Sequence, residues 1–285
     1  MLRIAVPNKG ALSEPATALL RDAGYRQRAS HRELVLVDEA NGVEFFFLRP
    51  RDIAVYVGSG TVDAGITGQD MLLDSGTAAN ELLALGFARS TFRFAGPKGQ
   101  FSDVSEAAGK RIATSYGRLV DDFLGKRGMS AQVVHLDGAV ESAIRLGVAD
   151  LIADVVETGS TLRAAGLEPF GEALMHSEAV LFASPDAKLD AEAQHTLEIL
   201  ISRLKSVLVA RRYVLLDYDV SAADMERAVA LTPGFESPTV SPLHGSDWYA
   251  VRAMVERDCA HRVMDELYAV GARAILVTAI QACRI

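Results

Sequence analysis

Residues 153–162 read ADVVETGSTL, and this stretch decides the fold of the region around it. The apolar run around Ile152 and Val156 is typical of a buried strand, and it ends in a hydroxyl-rich segment centred on Gly159. A helical pattern then begins at Leu162 and ends at Gly166. A strand end, a short loop and a helix N-terminus together present backbone N–H groups and a positive dipole end to an anion. The stretch therefore predicts an α/β lobe with a phosphate-binding loop.

Two carboxylates, Asp154 and Glu157, stand beside this predicted phosphate site. They suit a ligand that also carries ribose hydroxyls or Mg2+, because carboxylates accept from the former and coordinate the latter. The alternative for Asp154 is a turn residue that caps the loop, and for Glu157 a solvent-exposed side chain. The phosphate loop of ATPases needs glycine, four residues and Gly-Lys-Ser/Thr, and this string does not occur in the sequence.

The loop and the residues before it resemble the signature of the ATP phosphoribosyltransferase family. The matching residues are Glu141, Gly147, Ala149, Ile152, Asp154, Thr158, Gly159, Thr161 and Leu162. Further segments that resemble the family are PNKGALSEP (7–15), FFFLRPRDIAVYVGSG (45–60), DAGITGQD (63–70), LDYD (216–219) and TPGFESPT (232–239). The resemblance covers effectively the whole chain and includes the C-terminal part of the family's long form. It implies transfer of the phosphoribosyl group of phosphoribosyl pyrophosphate to N1 of ATP, the first step of L-histidine biosynthesis.

The first two thirds of the chain contain a repeated pattern of strand, loop and helix. The repeated features are Arg-Ile-Ala at Arg3 and Arg111, a helix that ends at Gly24 and Gly128, and an aspartate before a strand at Asp63 and Asp150. This repeat predicts two α/β lobes with a ligand cleft at the carboxyl ends of their strands. The resemblance implies a two-lobed fold similar to periplasmic binding proteins. We expect catalytic lobe I over residues 1–90 with about 183–210, and lobe II over 91–182.

From residue 211 the pattern becomes strand, helix, strand, strand, helix, strand. This βαββαβ order is that of the ferredoxin-like, split βαβ arrangement. The resemblance to the long form implies that residues 211–285 are an ACT-like regulatory domain. It also implies feedback inhibition by L-histidine and a homo-oligomer, with an open dimer and a compact hexamer as its natural states.

The candidate histidine-binding residues are polar or lie at strand ends of this C-terminal unit. Asp217 and Asp219 can meet an ammonium or imidazolium group, while Ser237 and Thr239 offer hydroxyls to either end of the ligand. Ala274, at the start of the last strand, completes the set. The alternative is that these are turn and strand-edge residues of a domain that serves only assembly.

The remaining site residues are assigned from the resemblance. The 5′-phosphate of the phosphoribosyl substrate is expected on Glu157, Thr158, Gly159, Ser160 and Thr161. Asp154 is expected to contact the ribose hydroxyls or Mg2+, and Lys9 the pyrophosphate; these two are the candidate catalytic residues. ATP is expected on Arg49, Asp70 and Tyr116.

Each of these side chains also has a simpler interpretation. Lys9 alone would be a surface lysine. The neighbouring Arg51 is an alternative to Arg49, or both arginines pair with aspartates at Asp52 and Asp63. Asp70 is equally a helix-capping carboxylate, and Tyr116 either stacks on a purine or only packs.

Composition excludes several functional classes. The net charge of −8 argues against a nucleic-acid partner, and 49% apolar content without a membrane-length apolar run predicts a cytoplasmic protein with no membrane partner. Two cysteines and six scattered histidines predict neither a disulfide framework nor a zinc site. The resemblance implies Mg2+ as the cofactor. A non-catalytic metabolite sensor and an inactive regulatory paralogue remain alternatives. The carboxylates beside the phosphate loop disfavour the sensor, and the intact signature disfavours the paralogue.

Overall fold

The computed structural model describes residues 1–30, 32–156 and 159–284. Glu157 and Thr158 of the predicted phosphate loop lie outside the described residues. Contacts divide the chain into a first unit, Met1–Ala18 with Arg26–Leu197, and a second unit, Leu19–Tyr25 with Glu198–Ile285.

The helices and strands follow one another closely along the chain. The strands are β1 (Leu2–Pro7), β2 (Val35–Asp38), β3 (Val43–Leu48), β4 (Ala64–Gly68), β5 (Asn80–Ala84), β6 (Ser90–Pro97), β7 (Arg111–Thr114), β8 (Gln132–His135), β9 (Leu151–Val156), β10 (Leu167–Ser177), β11 (Ala179–Ala183), β12 (Tyr213–Ser221), β13 (Thr239–Pro242), β14 (Trp248–Glu256) and β15 (Arg273–Ala279). The α-helices are α1 (Ser13–Asp22), α2 (Pro50–Gly58), α3 (Gln69–Ser75), α4 (Gly117–Gly125), α5 (Ser142–Arg145), α6 (Ser160–Ala164), α7 (Ala191–Arg212), α8 (Met225–Leu231) and α9 (Ala260–Ala269).

The first unit contains two mixed sheets, one for each lobe. The order of the first sheet is β2-β3-β1-β4-β11-β5 and that of the second is β10-β6-β9-β7-β8. Without its edge strand β2, the first sheet has the connectivity of the second. In each sheet one strand comes from the chain segment that enters from the other lobe, and it runs antiparallel to its neighbour. In the first sheet this strand is β11, beside β4, and in the second it is β6, beside β9. This exchange of strands confirms the predicted two-lobed fold of the periplasmic-binding-protein type.

A repeated ion pair marks the start of both lobes. In lobe I the backbone N–H and guanidinium of Arg3 both donate to the Asp63 carboxylate, at 2.8 and 2.9 Å. In lobe II the same groups of Arg111 donate to Asp150, at 2.9 and 2.7 Å. Each aspartate returns its own N–H to the arginine carbonyl at 2.9 Å. The Arg-Ile-Ala repeat in the sequence therefore corresponds to a real structural repeat.

The core of each lobe is built from the apolar side chains of its strands. Lobe I buries the Ile4, Phe45 and Ile66 side chains completely or nearly so, and lobe II buries Phe92 and Phe94 fully. The strand patterns are near-continuous apolar runs because helices cover both faces of such sheets. Because the faces of the sheets are covered, the polar candidate residues lie at the carboxyl ends of the strands.

The second unit contains an antiparallel sheet in the order β13-β14-β12-β15. Helices α8 and α9 supply the other layer, and Val214, Leu216 and Tyr218 of β12 are buried in the core between them. The buried Tyr218 hydroxyl bonds to the Thr232 hydroxyl at 2.8 Å. The order and directions are those of the ferredoxin-like arrangement, so that prediction is confirmed.

One boundary in this unit differs from the sequence-based expectation of a helix from residue 222 with Ser221 as its N-cap. Helix α8 begins at Met225 because Ser221 still belongs to strand β12. The Ser221 hydroxyl accepts from the N–H of Asp224 at 3.3 Å and donates to its carboxylate at 3.0 Å. These bonds stabilise a turn that delays the helix by three residues.

Candidate functional site

Several candidate residues of the first unit each follow the carboxyl end of a parallel strand. Parallel strands β1, β3 and β4 end at the same edge of the first sheet, and β7 and β9 at the same edge of the second. Lys9 follows β1, Arg49 follows β3 and Asp70 follows β4, while Tyr116 follows β7. Carboxyl edges of open α/β sheets are where such folds bind ligands.

The described part of the phosphate loop begins α6. Gly159 has φ +68°, and a β-carbon at this position would lie 3.3 Å from the Arg163 guanidinium. Glycine is therefore the residue that fits this turn. Thr161 is exposed and Ser160 belongs to the first turn of α6, so backbone N–H groups and hydroxyls occur together here.

Asp154 lies in β9 and is half-buried. Its Oδ1 accepts the N–H of Val155 at 2.8 Å. Burial raises the pKa of the Asp154 carboxyl, and the Glu141 and Asp70 carboxylates act in the same direction while Arg51 opposes them. A carboxylate that is costly to ionise in the folded chain is more typical of a ligand-binding position than of a surface turn.

Asp70 is the second residue of α3 and is only 5% exposed. The Ser177 hydroxyl donates to its Oδ1 at 2.8 Å and accepts its backbone N–H at 3.0 Å. Ser177 ends β10 of the second sheet, so the partner of this carboxylate comes from lobe II. Asp70 therefore does more than cap its own helix.

Tyr116 and Arg51 form the contact between lobes at this edge. The guanidinium of Arg51 lies 4.4 Å from the centroid of the Tyr116 ring and covers one of its faces. Tyr116 is 6% exposed, and its ring makes a T-shaped contact with the Phe92 ring, with the ring centroids 5.1 Å apart. Burial raises the pKa of the Tyr116 hydroxyl, and the nearby Asp70 carboxylate raises it further. A purine that stacks on Tyr116 has to share the ring with Arg51 or displace it.

The arginine pairing considered from the sequence is wrong for Arg51 and Asp63. Arg51 pairs with Asp74 at 3.2 Å, whereas Asp63 is held by Arg3 at 2.9 Å. Arg49 is exposed in an extended backbone conformation immediately before α2. The two neighbouring arginines thus have different environments, with Arg51 on the tyrosine and Arg49 towards solvent.

Lys9 is exposed just beyond the end of β1. The strand pairing sets Pro7 opposite Leu48, so Lys9 and Arg49 leave the sheet at the same edge. Two cations at one edge suit a polyanionic ligand on a chain whose net charge is −8.

A cavity of about 450 Å³ lies beside the crossover strands of the two lobes. Its walls include Gln69 and Ser177 next to Asp70, and Val156 at the end of β9. Hydroxyl and imidazole groups of Thr91 and His176 also line it, 3.2 Å apart. The cavity therefore adjoins both Asp70 and the end of β9.

No group of three or more acidic, histidine or cysteine side chains is arranged for a metal within residues 1–30, 32–156 and 159–284. Asp154 therefore belongs to no such group among these residues. Substrate phosphates commonly supply further oxygen ligands to Mg2+.

The histidine-site candidates fall at two separate places on the C-terminal sheet. In the strand register Asp219 of β12 lies opposite Arg273 of β15, so it is close to Ala274, the next residue of β15. Thr239 of β13 lies opposite Arg252 of β14 and is two strands away from β12. Neighbouring strands are about 4.8 Å apart, so two strands with one between them are about 10 Å apart. Thr239 and Asp219 of one sheet therefore do not contact the same ammonium or carboxylate group of a ligand.

Two further C-terminal residues occupy distinct environments. Asp217 is engaged by the Arg252 guanidinium at 2.6 Å, so its carboxylate already has a cationic partner. Ser237 is exposed in the loop before β13. The sheet thus brings Asp219 and Ala274 together and leaves the two hydroxyl residues apart from them.

Sequence reasoning did not single out Ser177 or Asp74, although both touch the candidate site. Ser177 is 107 residues from its partner Asp70, and Asp74 contacts the N–H of Leu119 in another lobe. No local spacing connects residues this far apart. Only the register of the strands and the approach of the lobes brings them together.

Among the described residues, no helix has the length and apolar character needed to cross a membrane.

Family models match two consecutive regions of the chain. The model described as ATP phosphoribosyltransferase matches residues 49–206, and the model described as HisG, C-terminal domain, matches residues 210–282. The boundary between the matches falls close to the end of α7. The first match lies within the catalytic region expected from the sequence and begins after residue 48, and the second lies within the expected C-terminal region.

Full-length relatives carry the same description. The ATP phosphoribosyltransferase of Pseudarthrobacter chlorophenolicus is 62% identical over 285 residues, and that of Streptomyces coelicolor 60% identical, each with 100% of both chains covered. A solved structure, the ATP phosphoribosyl transferase (HisG:HisZ) complex from Thermotoga maritima, is 27% identical with a TM-score of 0.61. That match covers 72% of this chain and 96% of the other.

Proposed function

The chain belongs to the ATP phosphoribosyltransferase family, and from this premise we propose that it transfers the phosphoribosyl group of phosphoribosyl pyrophosphate to N1 of ATP. The chain is an enzyme, and its family's reaction opens histidine biosynthesis. N1 forms a bond to C1 of the ribose with inversion while the bond from C1 to the pyrophosphate oxygen breaks. The observation that carries the proposal is the strand, loop and helix at β9 and α6 with Asp154 beside it.

The phosphoribosyl substrate is proposed to bind lobe II. Its 5′-phosphate meets the backbone N–H groups and hydroxyls of Gly159, Ser160 and Thr161, with Glu157 and Thr158 completing the loop. Asp154 accepts hydrogen bonds from the ribose hydroxyls. Because the ring then sits at the carboxyl end of β9, C1 is held towards lobe I.

The leaving group and the nucleotide are proposed to contact lobe I. Lys9 neutralises the departing pyrophosphate, and Arg49 assists at the same sheet edge. Asp70, with Tyr116 and Arg51 across the lobes, orients the adenine so that N1 faces C1. Purine N1 is a modest nucleophile, so the gain comes from positioning and electrostatics rather than from a covalent protein intermediate.

The chemistry of the donor set fits Mg2+. This ion is commonly held by one or two carboxylates together with substrate phosphates, and Asp154 offers such a carboxylate beside the phosphate loop. Bound there, Mg2+ would neutralise negative charge on the pyrophosphate. The protein groups then keep their tasks of holding the ribose and orienting the purine.

Regulation, domains and assembly are parts of the same proposal. The C-terminal unit binds L-histidine at Asp219, Ser237, Thr239 and Ala274, and a homo-oligomer changes between dimer and hexamer. The separation of Thr239 from Asp219 on one sheet supports a site completed by a second C-terminal domain. Residues 1–90 with about 183–210 form lobe I, 91–182 lobe II and 211–285 the regulatory domain of a cytoplasmic enzyme.

The test is to mix the protein with ATP, phosphoribosyl pyrophosphate and Mg2+ and to follow the ultraviolet change of N1-substituted adenine. Formation of the adduct and stoichiometric pyrophosphate supports the proposal. Tight binding of both substrates without product would instead favour the metabolite sensor or the inactive paralogue.

A further inference from the structure

Helix α3 belongs to lobe I, yet two of its carboxylates receive hydrogen bonds from lobe II. Asp70 and Asp74 are four residues apart and therefore lie on one face of the helix. Asp70 accepts from the Ser177 hydroxyl, and Asp74 Oδ1 accepts from the backbone N–H of Leu119 in α4 at 3.2 Å. This face of α3 joins the first lobe to the second.

The second oxygen of Asp74 holds a residue of the candidate nucleotide site. Asp74 Oδ2 pairs with the Arg51 guanidinium at 3.2 Å, and its side chain is only 12% exposed. Arg51 in turn covers the ring of Tyr116, the residue immediately before α4. One carboxylate therefore fixes both the arginine and the helix that carries the tyrosine.

The start of α4 is suited to this contact. Leu119 is the third residue of the helix, so its N–H is one of those without a partner inside the helix. A carboxylate at a helix N-terminus is favoured by the dipole. The close approach of α3 to α4 is visible at Gly76, where any side chain would collide with the Arg118 guanidinium. Asp74 caps α4 from the opposite lobe.

We propose that Asp74 is a positioning residue for phosphoribosyl transfer, which holds Arg51 of lobe I against Tyr116 of lobe II so that the nucleotide meets both lobes in one arrangement. This inference rests on the proposed function. Asp74 acts through Arg51 and α4 and contacts neither substrate.

The effect on the KM for ATP depends on the fraction of molecules in which Arg51 still lies against Tyr116, which we call the aligned fraction. In Asp74→Ala both contacts are lost, and a ligand that touches both lobes binds more weakly in proportion to the aligned fraction that remains. We expect the KM for ATP to rise about tenfold if a tenth of the molecules stay aligned. The KM for phosphoribosyl pyrophosphate also rises, because its 5′-phosphate meets lobe II and its pyrophosphate lobe I. It rises less than the KM for ATP, because Arg51 and Tyr116 contact the nucleotide and not this substrate.

Two matched variants sharpen the experiment. Asp74→Asn keeps an oxygen acceptor for the Leu119 N–H but loses the ion pair with Arg51, so its KM for ATP should lie between the parent and Asp74→Ala. Asp122→Asn is the control, since it removes the charge of a 60%-exposed carboxylate on α4. The control should keep the parent's kinetic constants and melting temperature.

Unchanged KM for ATP in Asp74→Ala overturns the positioning role, including a result in which only the melting temperature and the folded yield fall. A larger rise in the KM for phosphoribosyl pyrophosphate than for ATP overturns it as well. If the parent forms no adduct, the proposed function fails separately. The calorimetric Kd for ATP of the same variants then tests Asp74, with a tenfold rise expected and an unchanged value contradicting it.

Discussion

At the residue scale, Asp154 is placed where ionisation is unfavourable, and this has opposite effects on activity and stability. The pKa of its carboxyl is raised by burial, so the folded chain holds the proton to a higher pH than the unfolded chain does. The loss of stability begins as the pH rises through the unfolded pKa of about 3.9, and it is complete once the folded carboxyl has also lost its proton. The carboxylate is kept at the expense of stability, as is common for functional groups.

Asp154→Asn should therefore lose activity without losing stability. An amide accepts one hydrogen bond but cannot hold two hydroxyls or a cation as a carboxylate does, so kcat should fall by about two to three decades. Its melting temperature at pH 7 should equal or exceed that of the parent, and the difference should shrink as the pH falls towards 4. Steady-state kinetics and calorimetry measure both; near-parent turnover with unchanged circular dichroism would refute the assignment.

Lys9 can be tested against another exposed lysine in the first unit. Lys9→Ala should raise the calorimetric Kd for phosphoribosyl pyrophosphate in Mg2+ buffer by about tenfold, which corresponds to one charge-assisted hydrogen bond. Lys98→Ala removes an exposed lysine from a turn of lobe II and should leave the Kd unchanged. Equal constants for the two variants would mean that Lys9 is only a surface lysine. Histidine inhibition should persist in both.

At the scale of secondary-structure elements, the repeated Arg–Asp pair allows a comparison within one chain. Asp63 is 13% exposed and Asp150 36% exposed, so the lobe I pair is the less screened. Asp63→Ala should cost about 1.5–3 kcal/mol of unfolding free energy because hydrogen bonds to a charged guanidinium are lost. Asp150→Ala should cost less, within about 1 kcal/mol, as exposed pairs do. Chemical denaturation at pH 7 measures both, and the reverse order would contradict this account.

The Arg111–Asp150 pair of lobe II predicts that the free energy of unfolding depends on pH. The Arg111 guanidinium lowers the pKa of the Asp150 carboxyl to about 2. The stabilisation is therefore fully present above the unfolded pKa of about 3.9 and is lost as the pH falls towards 2. The stability difference between Asp150→Ala and the parent should disappear over that window.

The elements were largely predictable from the sequence, and the contacts between lobes were not. Apolar runs and glycine ends gave the order of strands and helices, and the resemblance gave the two-lobed fold. The exchange of β6 and β11 between the two sheets is seen only in the structure. The start of α8 differed because the Ser221 hydroxyl stabilises a turn that competes with the helix. Contacts such as Ser177 with Asp70 depend on groups more than a hundred residues apart, which no local periodicity records.

At the scale of the whole molecule, inhibition by L-histidine requires two global states to which histidine binds unequally. An open dimer and a compact hexamer are the proposed states. Loss of a charged group that contacts histidine weakens histidine binding, so less of the enzyme shifts to the inhibited state at a given histidine concentration. The effector contacts then matter for inhibition and not for turnover.

Asp219→Ala should give an enzyme with the parent's kcat that ignores histidine. Asp219 lies on the face of the C-terminal sheet away from its helices, beside Ala274, where it can meet an ammonium or imidazolium group. Asp265→Ala is the control, because Asp265 is exposed on α9 in the helix layer and should leave inhibition intact. Turnover is measured across a histidine titration, and sedimentation velocity reports the shift from dimer to hexamer in the parent. An Asp219→Ala enzyme that is inhibited at the parent's histidine concentration would place the effector site elsewhere.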